Sequence, residues 1–99
     1  MSILTREIVA TGLREAARIA AGFVPGEAEL AGAPLLSHWA VEAQPGGLVR
    51  LVGIVSGHPS IRDGWCTTSP VLAANEDAGW VRTVSRYYRL GLRLGENRQ

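Results

Sequence analysis

Lysine is absent from this chain of 99 residues, and cysteine, methionine and phenylalanine each occur once. A lone cysteine, Cys66, excludes an intrachain disulfide, so nothing points to an oxidising compartment. Long apolar runs are missing too. The best candidate, Ile8 to Val24, is broken by Arg14, Glu15 and Arg18, which excludes an ordinary transmembrane helix. The N-terminus has no basic region followed by an apolar one, so no signal peptide is expected and the default location is cytoplasmic. There is no Walker loop and no G-x-G-x-x-G, and Gly46-Gly47 reads as turn chemistry. His38, His58 and Cys66 are the only soft or borderline metal ligands, and no two have zinc-site spacing. No cofactor and no metal are therefore expected.

What is present fits one compact domain. The chain is 46% apolar, which is normal for a globular fold and too high for a disordered one. Residues 1–95 read as a single α+β domain and 96–99 as a frayed tail. All ten basic residues are arginine, and their distribution is uneven. Residues 80–99 carry five arginines against Glu96, a net +4, whereas residues 1–79 carry a net −3. Such asymmetry can mark a site for an anionic partner or a solvated strand face.

Thr5 to Ala21 reads as a helix. Thr5 can cap it, Glu7 sits in the first turn where the helix dipole favours an anion, and Gly22 with Pro25 ends it. Its expected sheet-facing stripe is Val9, Leu13, Ala16 and Ala20, widened by Ile8, Gly12 and Ile19. On that reading Leu13→Asp is a large core lesion.

From Leu35 the period changes to two. Trp39, Val41 and Ala43 alternate with His38, Ala40 and Glu42. Pro45-Gly46-Gly47 turns the chain, and Leu48 to Ser56 follows as a central strand. Gly57 to Gly64 is a loop closed by Asp63-Gly64, Trp65 to Ser69 a short strand, and Val71 to Ala74 an extended segment. Trp80 to Tyr88 reads as one last strand, with Trp80, Arg82, Val84 and Arg86 on one face. The expected architecture is an N-terminal helix packed on a curled antiparallel sheet, or a small partly open barrel, of four to five strands.

His58, Asp63, Ser60 and Ser69 invite a catalytic-triad reading. No nucleophile elbow accompanies them, and an imidazole in Gly57-His58-Pro59 is better explained by loop hydrogen bonding, so no enzyme is expected. The C-terminal strand carries the candidate contact surface: Trp80, Arg82, Arg86, Tyr88 and Arg89. Arginine and aromatics on one strand are typical of protein–protein hot spots, and they can also grip single-stranded nucleic acid.

Taken in order, Gly57-His58-Pro59, Asp63-Gly64, Thr68-Ser69, Trp80, Thr83-Val84-Ser85 and Tyr88-Arg89-Leu90-Gly91 resemble a pattern from short bacterial and phage- or mobile-element-associated proteins of unknown function. The stretch Ala31 to Leu36 with Trp39 is similar as well, so the resemblance covers roughly residues 28–91. It implies a fold more than an activity. Small mobile-element proteins of this size are often inhibitors of host defence, including anti-CRISPR proteins. The expectation is therefore a non-catalytic protein-binding module that occludes a host protein or ribonucleoprotein complex. Direct nucleic-acid binding is the alternative, and the near-neutral net charge of +1 stands against it.

Overall fold

The computed structural model describes residues 4–96. Helix α1 spans Arg6–Ala20 and a single turn of helix, α2, spans Glu27–Leu30. Six strands follow: β1 Leu35–Ala43, β2 Val49–Ser56, β3 Gly64–Thr67, β4 Val71–Asn75, β5 Trp80–Thr83 and β6 Tyr87–Leu90. They form one sheet in the order β3-β2-β1-β6-β5-β4. The α+β class and the helix-on-curled-sheet architecture hold, and the sheet stays open rather than closing into a barrel. It has six strands, and its central pair, β1 and β6, is parallel. Strand β2 therefore lies one place in from the edge. The proposed tail at 96–99 lies outside the described residues beyond Glu96.

The start and end of α1 follow local chemistry. Thr5 Oγ1 accepts the Ile8 N–H at 3.1 Å, and Gly22, at φ 110°, turns the chain out so that Phe23 N–H reaches back to the Arg18 carbonyl at 2.9 Å. The buried face differs from the expected stripe. Leu13 is 56% exposed, and the helix meets the sheet through Ile8, Gly12, Glu15 and Ile19. Gly12 decides this rotation. A methyl group built there would overlap the Val84 carbonyl oxygen and lie 3.1 Å from its carbon, so only glycine lets the helix approach so closely. Leu13→Asp is consequently a surface change.

The sheet buries both faces. On one, Leu36, Trp39, Leu51, Val55, Val81 and Tyr88 form the main core. On the other, Trp80, Tyr87 and Ala33 pack beneath the helices with Ile19 and Leu30. A bulge in β1 shifts the register between Ser37 and Ala40, with His38 at φ 50°. It turns Leu36 and Trp39, three residues apart, into the same core and leaves Val41 exposed, so strict alternation along β1 fails. Gly53 sits opposite the bulge. A methyl group there would lie 2.9 Å from the Ser37 carbonyl oxygen.

The expected strand from Trp80 to Tyr88 is two strands joined by a tight turn. Thr83 N–H donates to the Arg86 carbonyl at 2.9 Å, and Thr83 Oγ1 accepts the Arg86 N–H at 3.3 Å. The turn is fastened from outside. Val84 N–H donates to the Pro70 carbonyl, and Ser85 N–H donates to Ser69 Oγ. Among the described residues no helix is long and apolar enough to cross a membrane.

Candidate functional site

The turn at 84–86 redistributes the residues expected to share one face. Trp80 and Arg82 point beneath the helices, Tyr88 points into the core on the opposite side of the sheet, and all three are buried. Arg86 is half-buried. Arg89 is exposed, with its Nε donating to the Ala33 carbonyl at 2.9 Å. The five residues therefore do not form one solvent-facing patch, because the chain reverses within the segment that period-two counting treats as continuous.

Arg82 joins sheet to helix. It is 8% exposed, and its guanidinium donates to the Thr83 and Val84 carbonyls at 2.9 and 3.4 Å and lies 5.1 Å from the Tyr87 ring centroid. Tyr87 donates its hydroxyl proton to Glu15 at 2.6 Å. That bond, more than the nearby Arg18, holds the Glu15 carboxyl below its ordinary value against the opposing effect of burial. Burial and the same bond raise the Tyr87 phenol. A depressed carboxylate stabilises the fold above its unfolded value near 4.5, and that contribution fades as pH falls through the folded value. Tyr87→Phe should thus cost about 1–2 kcal/mol near neutral pH and progressively less as acid takes the protein through the lowered Glu15 value, because protonated Glu15 has little left to lose. Urea midpoints followed from neutral pH down through the acid range check this. A loss that stays equal throughout assigns the effect to packing.

His58, Ser69 and Tyr88, from the G-H-P, T-S and Y-x-L-G segments, do converge, and Asp63 of D-G bonds back to Gly57. A hollow of about 440 Å³ opens beside β3, lined by His58, Ile61, Arg62, Trp65, Cys66 and Tyr88 with the hydroxyl-bearing Thr67, Ser69 and Ser85. No triad assembles there. Asp63 accepts the Gly57 N–H at 3.1 Å, and His58 Nδ1 accepts the Ser60 N–H at 3.0 Å. Ser69 Oγ lies 2.9 Å from Ser85 Oγ. Burial and then the charge of Arg86 lower His58, which favours the neutral ring, and with Nδ1 accepting, that ring carries its proton on Nε2. Burial raises the Cys66 thiol, so it is a poor nucleophile. Thr68 is structural: its Oγ1 accepts the Leu51 N–H at 3.0 Å. Among the described residues no group of acids, histidines and cysteine could hold a metal ion.

Trp65 is the residue that sequence reasoning passed over. It is 69% exposed on β3, which among the described residues pairs only with β2 and forms one edge of the sheet. Thr68 N–H donates to the Leu51 carbonyl, which makes Leu51 and Thr68 a hydrogen-bonded pair. By alternation, the backbone groups of Trp65 and Thr67 face away from β2. The signal available in the sequence was a tryptophan directly after a D-G turn.

Fold and site together define a small α+β domain: a curled, open mixed sheet backed by one long helix, with a cationic and aromatic hollow beside a free edge. The chain belongs to a family of unknown function (DUF6634), whose model matches residues 1–96. No curated protein and no solved structure matches it.

Proposed function

We propose that this protein is a non-catalytic protein-binding module that takes an extended segment of its partner as an added strand on β3. The observation that carries the reading is Trp65, a large apolar side chain left in solvent on a strand whose outer backbone groups are unpaired. Such an edge is a template for strand addition, in which main-chain hydrogen bonds give affinity and neighbouring hollows give specificity. An exposed tryptophan beside arginine is also typical of an interface hot spot. The finer reading is a mobile-element inhibitor, acting in the cytoplasm, that covers a host nucleic-acid-handling complex. Its support is the sequence resemblance and the small size of the chain. The arginine–aromatic strand that favoured direct nucleic-acid binding is mostly interior, which supports the protein-binding reading over it.

A display library of short random peptides tests the proposal. Binders should protect the Trp65 and Thr67 amides from hydrogen exchange. Thr67→Pro, which removes an outward N–H without touching the β2 ladder, should weaken them about tenfold or more. Binders that perturb only other surfaces overturn the proposal. So does tight, salt-sensitive binding of a single-stranded oligonucleotide in their place, or a turnover that His58→Ala abolishes.

A further inference from the structure

We infer that the hollow beside Trp65 is a carboxylate-reading pocket, which receives an aspartate or glutamate side chain of the segment added on β3. The inference rests on that strand-addition reading and names what the site selects.

The hollow presents donors. The lining residues include no aspartate or glutamate, and the nearest acid in sequence, Asp63, is committed to the Gly57 N–H. Tyr88 is 4% exposed, yet its hydroxyl has no hydrogen-bond partner among the described residues, and no side-chain polar atom there is both buried and unsatisfied. The hydroxyl is therefore not sealed from solvent, and the hollow is an open space that Tyr88 lines. A phenol in an otherwise closed core usually finds a partner within the protein, and an unpaired one at a cavity mouth is a donor waiting for an acceptor. The phenol is pushed up to about 12, chiefly by burial, so it keeps its proton at neutral pH. The His58 ring lies 6.2 Å from the Tyr88 ring and presents a donating Nε2–H. Arg62 lines the same space, and neither it nor Arg86, whose charge is felt at both His58 and Tyr88, has an ion-pair partner within 4 Å among the described residues. A phenol, an imidazole N–H and one uncompensated guanidinium at one hollow, with the positive charge of Arg86 felt there from outside its lining, match a carboxylate, which accepts through both oxygens and carries the complementary charge.

Two measurements separate this inference from the reading beneath it. First, acetate titrated into the labelled protein should shift the Tyr88 ring and His58 resonances, and Tyr88→Phe and Arg62→Gln should each weaken that response severalfold. Secondly, library binders should share an acidic residue at one position, and changing it to the matching amide should weaken them about tenfold while the Trp65 and Thr67 amides stay protected. Edge binders with no acidic preference, together with no response to acetate, overturn the pocket and leave strand addition standing. An acetate response with no edge binders overturns strand addition and leaves the pocket. A response to inorganic phosphate but not to acetate overturns the carboxylate assignment.

Discussion

Gly12→Ala should lower the melting temperature by about 8–16 °C, although alanine is the better helix former. The intrinsic gain is about 1 kcal/mol for a Gly-to-Ala change within a helix. Against it stands a collision with the Val84 backbone, whose carbonyl oxygen a methyl group at residue 12 would overlap. The obstacle cannot swing aside as a side chain would. Val84 N–H is held by the Pro70 carbonyl and its carbonyl is used by Arg82, so relief means lifting the helix away from β5. Overpacking of this kind costs about 1–3 kcal/mol and occasionally more, and here the rigid partner favours the upper end. A net loss of about 2 kcal/mol in a domain of this length corresponds to the stated shift. Gly32→Ala is the internal control, since nothing lies within 4 Å of a methyl group there. If Gly12→Ala melts at or above wild type while Gly32→Ala is unchanged, α1 does not rest on the turn at Val84.

Where local chemistry sets the structure, it is written plainly in the chain. Thr5, Gly22 and Pro25 delimit α1, Pro45-Gly46-Gly47 turns β1 into β2, and Asp63-Gly64 starts β3. Two features were hidden because their causes are tertiary. Val84-Ser85 carries no glycine, proline or asparagine, and the turn there exists because Thr83, Ser69 and Pro70 supply partners for its backbone. Only the fold brings Ser69 and Pro70 to that turn. The rotation of α1 was hidden for a related reason. Helical periodicity favours Leu13 as a core residue, but close backbone approach at Gly12 fixes which stripe faces the sheet, and the larger side chain is left outside. The candidate site shows the same division. Several segments that carry the resemblance contribute to the hollow, while the assignment of an exposed face depends on a strand that the structure folds in two. Trp65 stands out once β3 is known to be an edge, a fact of strand order that no local pattern encodes.

Arg82→Glu should unfold most of the protein or leave it barely stable, whereas Arg86→Glu should melt close to wild type. The two arginines are four residues apart and would share a solvated face on an uninterrupted strand. In the folded chain Arg82 lies beneath α1, donating to two carbonyls and stacked near Tyr87, with Glu15 close enough to act on it electrostatically. A carboxylate in its place removes both donors, faces the Thr83 and Val84 carbonyls, and sets a second anion beside Glu15. Leaving an uncompensated charge in such a site costs about 3–5 kcal/mol, a large part of the 5–15 kcal/mol that holds a typical domain together. Arg82→Met keeps the apolar stem and gives up the hydrogen bonds alone, so its loss should be about 1–3 kcal/mol. Arg86 makes no side-chain hydrogen bond or ion pair with the described residues, and its backbone carries the turn whatever its side chain. Reversing its charge should instead weaken the acetate response in the hollow, through His58 and Tyr88. Circular dichroism melts of the three variants decide the matter. If Arg82→Glu and Arg86→Glu both melt with wild type, the two side chains lie in solvent together and the chain does not reverse at Val84-Ser85.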